Sequence, residues 1–209
     1  RRGFGAGVAW VRGFGLPVTV EVGNDDLSYF NPIGRFFRPY RRMTAVERMV
    51  GQPLDLPGIA IIPLVTTARA QWRLNWSKGK VSRAALERAL SLIAAVPEGR
   101  LIFIACHHPL AEPETRMSAR THNGAQALVA LARAGADAVL TGHVHDPFDI
   151  AHEIEGRTVR MIGAGTLSER VRITPPSFNE IRIADGGFEV VQRTMDLAPA
   201  VPLLRERAE

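Results

Sequence analysis

Four of the six histidines in this 209-residue chain fall in two short windows, His107-His108 and His143-Val144-His145. Each window follows directly on an apolar run. Leu101-Ile102-Phe103-Ile104-Ala105-Cys106 empties into His107-His108-Pro109, and Ala138-Val139-Leu140-Thr141-Gly142 empties into His143. Imidazole is the commonest nitrogen donor to divalent transition metals, so two such windows brought together would make a metal site. A lone histidine is more often an ordinary core or surface residue, and it is the repetition of one design at two strand ends that points to ligation.

A third stretch has the same layout with other donors. Val18-Thr19-Val20-Glu21-Val22 reads as a strand that ends in Gly23-Asn24-Asp25-Asp26, which offers an amide oxygen and two carboxylates. Taken by itself it also reads as a plain turn, because Gly, Asn and Asp all tolerate close turns. The next segment, residues 30–42, interleaves Arg35, Arg38, Arg41 and Arg42 with aromatic rings and prolines. Guanidinium forks match phosphate oxygens, which makes Arg35 and Arg38 candidate substrate contacts. Such a stretch is more often a packed loop with solvated charges, and a nucleic-acid-binding module acting through ring stacking is the lesser alternative.

These residues need elements to hold them. Val139 and Leu140 suit a buried parallel strand, and Gly142 permits a sharp exit from it; residues just past the carboxyl end of such a strand face the crevice where α/β proteins bind ligands. The two histidine-bearing strand ends are expected to lie side by side. Residues 58–65 read as a further buried strand, closed by Thr66-Thr67. Ser82 is a candidate N-cap for a helix in which Leu86, Ala89, Leu90 and Ile93 recur at helical spacing, with Pro97 and Gly99 ending it. A second helix is expected from about Gly124 to Ala134, with Asn123 as its cap and Gly135 as its stop. Strand, helix, strand, helix, strand is the alternation of an α/β sheet with parallel neighbours. Beyond residue 147 the pattern changes to two hairpins, one turning at Glu155-Gly156 and the other at residues 184–187, where Asp185-Gly186 supplies the positive backbone angles a tight turn needs.

Composition sets the outer limits. At 46% hydrophobic the chain can bury a sizeable core, and its length suits one domain, here residues 1–196, followed by a charged tail at 197–209. The single cysteine, Cys106, excludes an internal disulfide framework and suggests a reducing, hence cytoplasmic, location. A net charge of +5 favours anionic partners in general, but the basic residues are scattered and do not by themselves predict a nucleic-acid partner. Arg1-Arg2 followed by an apolar stretch imitates an export signal, yet Arg12 interrupts it and no small-residue cleavage site follows. No run approaches the ~18–20 apolar residues that cross a bilayer, so no membrane-spanning role is expected.

The strand-end motifs, taken together, resemble those of the calcineurin-like metallophosphoesterases, and within that family the branch with the class III cyclic-nucleotide phosphodiesterases. The family carries in order an Asp-x-His, a Gly-Asp, a Gly-Asn-His-Asp or Glu, a His near a proline, and a Gly-His-x-His. This chain has counterparts of the last three: Gly23-Asn24-Asp25-Asp26, His107-His108-Pro109 and Gly142-His143-Val144-His145. The resemblance implies a four-layer fold, a two-sheet β-sandwich with helices on both outer faces. It implies that Asn24, His107 and His143 hold one divalent ion and His145 a second, with His108 and Asp26 beside the ligands and not on the metal. Mn, Fe and Zn all suit such mixed ligands. The implied activity is hydrolysis of a small phosphoester by a metal-bound hydroxide. Two departures stand out. Nothing upstream of Val18 supplies the Asp-x-His or the Gly-Asp, so the chain reads as truncated at its start. The family's catalytic histidine is replaced by Asp25, which when ionised would repel a phosphodiester and could act as an acid only with a raised pKa. A degenerate, non-catalytic metal-binding relative is therefore the alternative reading. Oligomeric state is not readable.

Overall fold

The computed structural model describes residues 13, 15–20, 53–67, 78–113, 115, 120–167 and 175–194. The expected Gly23–Asp26 motif, the arginine-aromatic loop at 30–42 and the tail at 197–209 lie outside these. Of the strand expected at Val18–Val22, Val18 and Thr19 are outside any strand and Val20 forms a single β-bridge.

The described residues form an α/β structure. A six-stranded sheet has the spatial order β1 (Leu54–Leu56), β2 (Ile59–Pro63), β3 (Leu101–Ala105), β4 (Ala138–Thr141), β6 (Arg157–Gly163), β5 (Phe148–Ile154). Its four inner strands run parallel, and the two edge strands are antiparallel hairpin partners of β2 and β6. A separate hairpin, β7 (Ser177–Ala184) with β8 (Gly187–Thr194), forms a two-stranded sheet. Two helices complete the described elements, α1 (Arg83–Ile93) between β2 and β3 and α2 (Gly124–Arg133) between β3 and β4.

The strands are apolar on both faces because both faces are covered. Side chains alternate across a strand. Ala60, Ile62, Ile104, Val139, Val159 and Met161 therefore meet Ala89, Ile93, Leu128 and Leu131 of the two helices, while Ile59, Phe103, Ala138 and Ile162 meet Ile181, Phe188 and Val190 of the β7–β8 hairpin. The Phe103 and Phe188 rings sit edge to face with centroids 4.7 Å apart. Each fully buried branched or aromatic side chain contributes about 1.5–3 kcal/mol, which makes this double-sided core the main source of stability.

Helix ends follow their sequence signals unevenly. The Ser82 hydroxyl accepts from the Ala85 N–H at 3.1 Å, the expected cap. Gly135, at φ 104°, donates to the Ala132 carbonyl, and the Ala136 N–H to that of Leu131, which closes α2 in a Schellman motif. Asn123 does not cap α2 with its side chain. Its backbone is left-handed, at φ 60°, and its amide donates instead to the Val81 carbonyl at 3.1 Å, tying the start of α2 to the start of α1. No helix among the described residues is long and apolar enough to cross a membrane.

Candidate metal centre

Both histidine windows sit at the carboxyl ends of adjacent parallel strands. Ala105 of β3 stands opposite Leu140 of β4, and the ladder runs past both strands: the Cys106 N–H donates to the Leu140 carbonyl at 3.0 Å, and the Gly142 N–H to the His107 carbonyl at 3.1 Å. The register is pinned at the other end by Asp137, whose carboxylate accepts the Ile102 N–H at 2.7 Å while its own N–H donates to the Ile102 carbonyl at 2.8 Å. With both ends fixed, His107 and His143 must leave the sheet at the same level.

They meet there. His143 Nδ1 lies 3.3 Å from His107 Nε2, and a ligand-type nitrogen from each of His107, His108 and His143 lies within 4.8 Å of the others. A tetrahedral ion with M–N bonds of about 2.05 Å has ligand–ligand edges of about 3.3 Å, so this spacing is one that a divalent ion fits. The rings are set at an angle to one another: 88° between His107 and His108, 72° between His107 and His143, and 49° between His108 and His143. Three imidazole nitrogens gathered this closely are the kind of donor set found in zinc-type sites with an open position.

Burial grades across the group. His108 is fully buried, His107 and His143 are half-buried, and His145 is exposed at the rim. Removal from water, followed by the charges that His108, His143 and His145 would carry, holds His107 far below the usual histidine range, at about 3. Its imidazole is therefore neutral at neutral pH, which is the form that binds a metal.

His108 is held from below. Its backbone N–H donates to the Thr66 hydroxyl at 3.0 Å, and its ring Nδ1 lies 3.1 Å from the same oxygen. A Cβ on Gly79 would come within 2.6 Å of His108 Cγ and of Thr121 Oγ1, so only glycine fits there. The Thr121 hydroxyl in turn donates to the Pro109 carbonyl at 2.7 Å. Beyond Pro109 the chain borders a cavity of about 540 Å³ lined by Leu110, Glu112, Arg120, His122 and Gln126 among others.

Of the residues singled out in the sequence, the structure brings His107, His108 and His143 together and leaves His145 beside them. Asn24, Asp25, Asp26, Arg35 and Arg38 lie outside the described residues. His108, which the family resemblance places beside the ligands, comes within ligand reach of His107 and His143. Thr66 and Gly79 carry little signal in the sequence, a Thr-Thr pair closing an apolar run and a glycine in a polar loop. No protein-family model matches the chain, and no curated protein is similar enough to it to count as a match.

Proposed function

We propose that this chain is a metal-dependent phosphoesterase of the calcineurin-like type, with His107, His143 and either His108 or Asn24 on one divalent ion and His145 serving a second. The observation that carries the reading is the convergence of three histidine nitrogens, within 4.8 Å of one another, at the carboxyl ends of β3 and β4. The packing of a large mixed sheet against a smaller one supports it, since a four-layer sandwich has two such sheets at its centre. The substrate would be a small phosphoester.

The chain's own residues have separate tasks in this reading. His107 and His143 hold the ion, and because the His107 ring is neutral, its nitrogen lone pair is available to the metal without first losing a proton. A bound divalent ion would supply Lewis acidity toward the phosphoryl oxygens and lower the pKa of a water molecule. Asp25 is the candidate proton donor, Arg35 and Arg38 the candidate phosphate contacts.

The test is turnover of bis-p-nitrophenyl phosphate by the 209-residue chain loaded with Mn²⁺. Hydrolysis that disappears with chelator and falls by at least ~10²-fold in His143→Ala supports the proposal, that being the scale of one lost electrostatic or acid–base contribution. Stoichiometric Mn²⁺ binding with no turnover would favour the second reading, a non-catalytic metal-binding relative, for which the specific support is Asp25 at the family's histidine position.

A further inference from the structure

We propose that Thr66 is a positioning residue for this metal centre, one that fixes the orientation and tautomer of His108 so that His108 Nε2 serves as a ligand beside His107 and His143. The inference rests on the metal-centre reading above and adds to it both a ligand and the group that sets it.

The argument starts from the topology. Thr66 lies three residues past the end of β2, and β2 is the parallel neighbour of β3, so the chain beyond one strand passes alongside the chain beyond the other. Leu64 N–H donates to the Ala105 carbonyl at 2.8 Å, which extends the pairing almost to the site. Thr66 is then fixed through its own carbonyl, which accepts the Lys80 N–H at 2.9 Å, and is only 1% exposed. Its hydroxyl has no choice of neighbourhood. It faces His108, also 1% exposed, at both the backbone nitrogen and ring Nδ1.

A hydroxyl oxygen has two lone pairs. One accepts the His108 backbone N–H, and the second is in place to accept Nδ1–H at 3.1 Å. That bond puts the ring proton on Nδ1 and leaves Nε2 as the nitrogen with a lone pair to offer. A histidine ligand regularly donates its other ring N–H to an oxygen in this way, and the outer partner fixes both tautomer and ring angle. Gly79 presses on Cβ and Cγ of the same ring, where an added methyl would sit at 2.7 and 2.6 Å, so ring rotation is closed off from that side as well.

Zn²⁺ is the probe. Isothermal titration of the full chain should give a dissociation constant raised by about 10–100-fold in Thr66→Val and close to wild type in Thr66→Ser, the range typical of losing an outer hydrogen-bond partner. Long-range ¹H–¹⁵N spectra of the Zn²⁺-bound wild type should show His108 protonated at Nδ1 with Nε2 on the metal. If Thr66→Val does not fold, the wild-type spectrum and Thr66→Ser still decide. Wild-type affinity in Thr66→Val, or a proton on His108 Nε2 in the Zn²⁺-bound protein, overturns the assignment. His107→Ala and His143→Ala separate the two levels of inference. If these abolish Zn²⁺ binding while Thr66→Val does not, the Thr66 role alone falls. If they too leave affinity unchanged, the metal centre falls and takes Thr66 with it.

Discussion

Glu155 and Asp185, in the two hairpin turns, share a left-handed backbone with His143 and His145, beyond β4: φ is 52° for both turn residues against 70° and 62° for the histidines. In the hairpins the reason is local. Each is followed by a glycine that is also at positive φ, Gly156 at 79° and Gly186 at 74°, which makes a type I′ turn whose twist matches that of the flanking strands. At the exit from β4 no such turn exists. The two strained histidines alternate with Val144, which is 2% exposed and whose N–H donates to the Gly142 carbonyl at 2.8 Å. With Val144 buried between them, the two histidines hold left-handed backbone at a cost of roughly 1–2 kcal/mol for each. In the one region a following glycine completes a regular hairpin turn, while in the other the left-handed residues flank a buried valine. Strain that local sequence does not explain is the kind that collects at functional sites.

The largest test of this contrast adds a methyl group to a glycine in each region. Gly79→Ala would drive a Cβ to 2.6 Å from the buried His108 ring and from Thr121 Oγ1, whereas a Cβ on Gly186 meets nothing within 4 Å. Gly79→Ala should lose about 3 kcal/mol or more, the upper part of the overpacking range, because neither neighbour has a flexible end that can yield. Gly186→Ala should lose only the backbone term, roughly 1–2 kcal/mol. Urea denaturation of both variants measures the difference. Equal losses would mean that the site is no more tightly packed than a surface turn.

The same division governs what could be read from the sequence. Apolar runs and turn residues carry their own instructions, so β3, β4, both helices and both turns were legible, down to Ser82 as a cap and Gly135 as a stop. The expected adjacency of the two histidine windows was legible too, because parallel strands that share an α-helical crossover pair side by side. What could not be read depends on long-range contact. Thr66 and His108 are 42 residues apart, and nothing in either neighbourhood names the other. β1 is three residues long, too short for alternation to register, and is defined by pairing with β2 across Pro57-Gly58. Asn123 has a capping residue's chemistry but uses its amide on Val81, because the approach of α1 supplies an acceptor that the local sequence does not reveal.

Acid separates the two regions next. His107 has its pKa lowered to about 3, first by burial and then by its histidine neighbours, so between pH 6.5 and 3 the unfolded chain binds more protons than the folded one. Stability therefore falls as pH drops below 6.5, and the loss levels off near pH 3. The expected size is on the order of 2 kcal/mol for the metal-free chain, reduced from the full shift because the ring is half-exposed. In the hairpin region Glu155, hydrogen-bonded to Arg133, and Glu180, hydrogen-bonded to Arg182 and Arg193, have pKa values below the usual 4.5. Their contribution is present above that value and is lost only as pH falls through their folded pKa values, and at the protein surface it is small. Denaturation midpoints should thus decline between pH 6.5 and 5 more steeply in the wild type than in His107→Asn, which keeps only the contribution of rings such as His152, whose pKa burial also lowers. A decline of the same size in both would place the acid sensitivity elsewhere.

The smallest effect is the one that addresses the backbone itself. Replacing a left-handed residue by glycine removes the Cβ clash but frees the unfolded chain, so the two terms partly cancel and the net gain lies between zero and about 1 kcal/mol. Asp185→Gly and His145→Gly should both fall in that range, since both residues are exposed and at nearly the same φ. Their consequences for the site should differ. Asp185 lies in the β7–β8 turn, and its replacement should leave Zn²⁺ and Mn²⁺ binding unaltered. His145 stands close enough to His107 for its charge to bear on it, and under the proposed function it serves a second ion. His145→Gly should accordingly give a fold at least as stable as wild type with a lower stoichiometry or affinity for Mn²⁺. If His145→Gly is neutral in both respects, the left-handed backbone at residue 145 is only the far side of the Val144 turn, and the strain has no function beyond aiming His143.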